Sequence, residues 1–302
     1  MSQINSLPDG NAYKVPGQYI YEGIVMGQYT PRHHLDNVKA MEIVPDDVIV
    51  SAYPKSGTTM LCEIVWLILH DANVAEANKC QARERIPFIE YVFSDNDDGL
   101  VNARNTPRPR LLKTHLQRRL LPLAVKPMNI KQISILRNPK DVLVSNYYFY
   151  KSTVTFGRFT GDWDEFFEMF MADNIYWGNV LDHVLEWWES RQLPNVMVLF
   201  YEDILRKPST EIGKVSKFLG KELSAKDIDN IALATSFKTM KSNPMTNAES
   251  CPDEVDCTIS PFMRKGTVGD WKNHFSVDQS RRMDEIIKRK LGGVEINYQY
   301  EL

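Results

Sequence analysis

The chain has 302 residues, with 36 Lys+Arg against 39 Asp+Glu and a net charge of −3. Hydrophobic residues make up 43% and charged residues 25%, ordinary globular values that exclude a disordered chain, a collagen or a coiled coil. So even a balance gives no overall pull towards nucleic acid or an anionic membrane, and leaves only a local basic cleft open to an anion.

Residues 1–40 read as an irregular segment; Met1–Gly17 is polar and lacks a basic region followed by an apolar run, so no signal peptide is expected. Val48–Ala52 is a β-branched strand run, and Tyr53-Pro54-Lys55-Ser56-Gly57 must form a loop. Leu61, Ile64, Val65, Ile68 and Leu69 then recur at the spacing of a buried helix face. The longest apolar stretch, Met60–Leu69, contains Glu63 and is too short to span a bilayer.

Residues 83–110 form a long irregular stretch before a strand at Leu111–Thr114. Ile133–Leu136 is a strand stopped by Asn138-Pro139, with a helix from Asp141. Asp162–Glu165 resembles a capping box ahead of a helix with Trp163, Phe166, Phe167 and Phe170 on one face. Leu181, Val184, Leu185 and Trp188 mark another helix. Val196–Phe200 is a strand followed by a helix carrying Ile212, Val215, Phe218 and Leu219. Residues 243–266 are a second long irregular stretch, and Met283, Ile286 and Ile287 mark a last helix. Stretches of this length in a compact domain are commonly lids or substrate loops. Strand runs alternating with helices predict an α/β fold: one domain over 1–302, with a central parallel β-sheet flanked by helices.

Four cysteines, Cys62, Cys80, Cys251 and Cys257, lack C-x-x-C spacing and any zinc-ligand pattern. They read as reduced thiols in a cytoplasmic protein, with a Cys251–Cys257 bridge as the alternative. No metal is expected.

The loop Tyr53–Thr59 between a strand and a helix start aims backbone N–H groups and the helix dipole at an anion. Lys55 adds charge, Gly57 allows close approach, and Thr58 and Thr59 add hydroxyls. A Walker A loop places its Lys after the last Gly, whereas Lys55 precedes the only Gly here. Ligands of open α/β sheets bind beyond the carboxyl ends of strands. The four predicted strands deliver Lys55; Lys113, Thr114 and His115; Arg137; and Tyr201, Glu202 and Asp203. That is an anion site with a candidate base. His33, His34, His70, His183 and His274 read as structural. Phe262-Met263-Arg264-Lys265-Gly266 offers a further anion contact on a flexible turn.

Tyr-Pro-Lys-Ser-Gly-Thr-Thr, Leu-Leu-Lys-Thr-His, Arg-Asn-Pro-Lys-Asp and Arg-Lys-Gly-x-x-Gly-Asp-Trp together resemble the cytosolic sulfotransferases in order and spacing, from about Pro45 onwards. The resemblance implies a P-loop NTPase-like fold and the donor 3′-phosphoadenosine 5′-phosphosulfate (PAPS), which leaves as adenosine 3′,5′-bisphosphate (PAP). It assigns Lys55, Ser56, Gly57, Thr58 and Thr59 to the 5′-phosphosulfate. Arg137, Ser145, Arg264, Lys265 and Gly266 go to the 3′-phosphate. Tyr201, Thr235, Ser236, Phe237 and Met240, with Phe262 and Met263, complete the donor site. His115, Lys55, Lys113 and Ser145 take catalytic roles. Phe88, Tyr91 and Phe149, with Lys113, Thr114 and His115, face the acceptor, a small hydrophobic phenol or alcohol.

Two departures stand out. Met60 replaces a Trp that stacks on adenine in most relatives, and still offers a soft cover for the ring. The dimer segment aligns with Lys272, Ser276, Val277 and Arg281, where Arg281 replaces a Glu; like charges predict a monomer or weak homodimer. Three alternatives stay open: a variant P-loop kinase or hydrolase, a catalytically silent nucleotide-binding scaffold, and a dehydratase that expels the sulfate it adds.

Overall fold

The computed structural model describes residues 13–94, 97–122, 130–249 and 254–302. Its strands are β1 (Tyr19–Tyr21), β2 (Ile24–Met26), β3 (Val48–Ser51), β4 (Val92–Ser94), β5 (Asp97–Asp98), β6 (Leu111–Thr114), β7 (Lys131–Leu136) and β8 (Val196–Phe200). The β-branched and aliphatic runs of β6, β3, β7 and β8 pair in that order, all parallel. Ile49 sits between Leu112 and Gln132, and Leu136 opposite Phe200.

Successive side chains of a strand point to opposite faces. Val48, Val50, Leu111, Ile133, Ile135 and Leu199 therefore share one core with the helix Thr58–Leu69. Ile49, Leu112, Leu136 and Val196 enter the other, against the helices Pro139–Ser152, Trp163–Met171 and Val180–Ser190. Burying each such aliphatic side chain contributes roughly 1.5–3 kcal/mol. All four strands thus end on one edge, and their register sets the separation of the residues just beyond.

The predicted capping box forms: Asp162 accepts from the N–H of Glu165, whose carboxylate accepts from the N–H of Asp162. The helix expected from Asp141 begins at Pro139, capped by the Asn138 side chain. The reading of 1–40 as irregular is corrected over its described part. β1 and β2 form a hairpin through Glu22-Gly23, both at positive φ, and a helix spans Arg32–Lys39. Residues 83–110 also contain structure: the helix Ala82–Arg85 reaches into them, β4 pairs with β5, and Asp98 caps the helix Gly99–Asn105. These elements are too short for a periodicity to reveal.

Candidate active site

β3 ends at Ser51, and the Tyr53 hydroxyl pins the next turn by donating to the Gly178 carbonyl at 2.8 Å. Lys55 adopts φ 67° and Gly57 φ 105°. A Cβ on Gly57 would lie 2.6 Å from the Tyr201 ring, so the loop approaches the end of β8 only with glycine there. The helix Thr58–Leu69 then starts, its first N–H groups lacking intrahelical partners.

One cavity runs along this edge. Lys55, Gly57, Thr58, Thr59 and Met60 line it from the loop, and Arg137 and Ser145 from the end of β7 and the helix after it. Tyr201, Thr235, Phe237 and Met240 form another wall, and Phe262, Met263, Arg264, Lys265 and Gly266 a further one. Lys113, His115, Phe88, Tyr91 and Phe149 line it as well. Gly266 (φ 67°) lies against the Phe237 ring, 2.1 Å from where a Cβ would stand.

Three expected contact residues are not on the wall. Ser56 is buried, and its N–H donates to the Tyr53 carbonyl. Thr114 is buried and accepts from the Leu116 N–H. Ser236 caps the helix Phe237–Lys241 by accepting from the Thr239 N–H. Their side chains hold the wall rather than form it. Of the histidines read as structural, His34 is buried and bonded to the Ile89 carbonyl, and His70 stacks on Trp66. His183 is buried, and His274 lies 3.7 Å from Asp270.

Cations crowd the cavity. Lys55 lies over the Phe149 and Phe262 rings and donates to the Phe262 carbonyl at 3.3 Å. Burial, then the charges of Arg137, Arg264 and Lys113, push its pKa down to about 7. Burial also lowers Lys113, which sits over the Phe88 ring at 4.1 Å. Arg137 donates to the Lys55 carbonyl at 3.0 Å and lies over the Tyr201 ring. Arg264 and Lys265 are both tied to Asp270. Burial opposes that carboxylate, but hydrogen bonds from Lys265, Arg264 and Asn273 hold it well below the usual range.

His115 Nδ1 lies 2.5 Å from the Ala52 carbonyl, which can only accept, so this nitrogen carries the proton and Nε2 the lone pair. Burial, then the Lys113 charge, holds the imidazole well below its ordinary pKa. The Glu90 carboxylate accepts the backbone N–H of His115 at 2.5 Å, and burial pushes Glu90 up to about 8. Glu90 was missed in the sequence, although a lone acid inside Pro87-Phe88-Ile89-Glu90-Tyr91 was a signal. Asp141 was missed too: it accepts the N–H groups of Gly269 (2.8 Å) and Trp271 (2.9 Å), fastening the 264–271 segment to the helix that carries Ser145.

Buried donors test whether the site fits a phosphorylated nucleotide. Among the described residues, Thr58 Oγ1 and Arg137 Nε are buried on this wall without a partner, and Lys55 and Lys113 line the same cavity. Orphaned donors and cations suit phosphate and sulfate oxygens. Among the described residues no group of His, Cys, Asp or Glu is placed to hold a metal, and no helix is long and apolar enough to cross a membrane. Cys62, Cys80 and Cys257 are free thiols, and Cys251 lies outside the described residues.

A parallel sheet with a strand–loop–helix turn and converging cations at its carboxyl edge is the arrangement of a P-loop-like fold with an anion-binding edge. The sulfotransferase domain model matches residues 45–295, so the chain belongs to the sulfotransferase family. It is 45% identical to rat sulfotransferase 1C2 over 266 residues, covering 88% of this chain and 90% of that protein. It is 40% identical to bovine sulfotransferase 1A1, covering 95% and 97%. Among solved structures it resembles retinol dehydratase with androsterone and inactive cofactor PAP (TM-score 0.80, 26% identity, 93% of this chain and 90% of that one). It also resembles mouse sulfotransferase SULT7A1 with PAP (TM-score 0.76, 29% identity, 92% and 96%). The chain is therefore a PAPS-dependent transferase that moves a sulfuryl group to the hydroxyl of small-molecule acceptors.

Proposed function

We propose that the acceptor is a small hydrophobic phenol or alcohol and that His115 is the general base. The observation that carries this is the Nδ1 bond from His115 to Ala52, which leaves Nε2 unprotonated on a wall it shares with Phe88, Tyr91 and Phe149. PAPS, when bound, supplies a sulfuryl group on a phosphate leaving group. Thr58, Thr59 and the N–H groups of the helix start hold the 5′ end. Arg137, Ser145, Arg264 and Lys265 hold the 3′-phosphate, with Met60, Tyr201, Thr235, Phe237 and Met240 around the base. His115 takes the hydroxyl proton at Nε2. Lys55 neutralises charge growing on the leaving oxygen, and Lys113 stabilises the sulfuryl oxygens in the in-line transfer. Ser145 binds the 3′-phosphate and restrains Lys55 until acceptor arrives.

Residues 83–110 and 243–266 serve as lid and substrate loops of one domain. Free thiols suit a reducing, cytoplasmic compartment. Incubation with PAPS and 4-ethylphenol, followed by product mass, tests the reading. A stable sulfate ester supports it; a dehydrated product, or transfer of phosphate from ATP with magnesium, overturns it.

A further inference from the structure

We propose that Glu254, with Asp97, selects acceptors that carry a cationic amine beyond the reacting phenol. The inference rests on the phenol-sulfation reading above and concerns a charged part of the cavity wall. Three charged groups there have no role in that reading: Arg83, Asp97 and Glu254 all line the cavity. Glu254 pairs with Arg83, and Asp97 lies 4.0 Å from the same guanidinium. Both carboxylates thus lie beside the Arg83 guanidinium.

The remaining charges of the cavity sharpen this imbalance. Lys55, Arg137, Arg264 and Lys265 belong to the donor end and are neutralised by a polyanionic donor, while Lys113 meets the transferring group. With donor in place, the acceptor therefore meets the Glu254 and Asp97 carboxylates beside the guanidinium of Arg83, all three among the described lining residues. Both carboxylates are held by their surroundings. The Glu254 carbonyl accepts the Val154 N–H at 2.9 Å, and Val255 bridges to Thr153, which also lines the cavity. Asp97 accepts from the Asn102 carboxamide at 2.9 Å. The Arg83 side chain is the more exposed member of its pair, 46% against 30% for Glu254. Ion pairs this exposed hold weakly, so a substrate ammonium can compete with the guanidinium for the Glu254 carboxylate.

The wall between this end and His115 is aromatic. Phe88 and Tyr91 lie 4.4 Å apart, and Tyr91 stacks on Phe93 at 4.9 Å. Such a wall takes a phenol ring and then offers ring faces to the approaching cation. A carboxylate in the same position would meet Glu254.

The test compares tyramine, 4-ethylphenol and 4-hydroxyphenylacetate, which differ only beyond the shared phenol. Tyramine is expected to show a kcat/KM about tenfold above 4-ethylphenol, equivalent to about 1.4 kcal/mol, with 4-hydroxyphenylacetate lowest. E254Q should bring the tyramine to 4-ethylphenol ratio within about twofold, and D97N should lower it in part. PAP affinity reports whether each variant is folded. A wild-type ratio near one overturns the inference alone, as does a tenfold ratio that survives both substitutions. No sulfation of any of the three, with PAP binding intact, overturns the phenol reading and this inference with it.

Discussion

The guanidinium of Arg137 hydrogen-bonds the main-chain carbonyl of Lys55 at 3.0 Å, tying the end of β7 to the loop that follows β3. Its Nε is buried without a partner, a donor available to a 3′-phosphate. A charge-assisted hydrogen bond contributes roughly 1.5–3 kcal/mol. R137A is expected to weaken PAP binding by tens of fold or more, and AMP binding far less. Calorimetric titration with both nucleotides checks this; an unchanged PAP constant refutes it.

Lys55 sits near pKa 7 because burial and neighbouring cations disfavour its charge. A polyanionic ligand reverses that balance, so PAP binding above pH 7 should draw a proton onto Lys55. Titrations at pH 8 in buffers of different ionisation enthalpy should report an uptake approaching one proton, absent in K55M. In the ligand-free protein the sign is opposite to that of a paired lysine. The folded pKa lies below the unfolded one, so the unfolded chain binds more protons and stability from this group rises with pH between about 7 and 10.5.

His115 is neutral well below the ordinary histidine range, so the base needs no deprotonation at neutral pH. In an NMR titration of the ligand-free protein its imidazole should show no protonation step at 6.5. H115N should lower kcat by about 10²–10⁴, with the PAP constant changed less than about twofold. A kcat within threefold of wild type would remove His115 from the base role.

Asp141 accepts two N–H groups of the 269–271 turn and is almost wholly buried. D141A leaves those donors unmet and should cost about 2–4 kcal/mol of stability, read from urea denaturation. PAP affinity should fall as well, because Arg264 and Lys265 hang from the same turn through Asp270.

Val277 is 91% exposed, and Arg281 is paired within its own helix to Asp278 and Glu285. We expect a monomer or weak homodimer by sedimentation at micromolar concentration, unaltered by V277E. A tight dimer broken by that change would reverse this.

The strand runs at Val48, Leu111, Ile133 and Val196 were legible because strands buried on both faces are continuously apolar. The loop at Lys55-Ser56-Gly57 was legible because glycine and the order of residues are local properties. Less visible were β1 and β2, the helix Arg32–Lys39 and the short elements of 83–110, which span one or two turns and owe their shape to what they pack against. Ser56 and Ser236 were assigned through the family resemblance and Thr114 also from its place at a strand end, yet none of the three lines the cavity.

By itself the sequence determined which residue types stand at the strand ends, and hence which cations and which histidine gather at that edge. Only the tertiary structure decided which nitrogen of His115 holds the proton, how far Lys55 is depressed, and that Glu254 faces the same cavity as Lys113. Those depend on desolvation and on charges brought together from distant parts of the chain, and neither acts until the sheet closes around them.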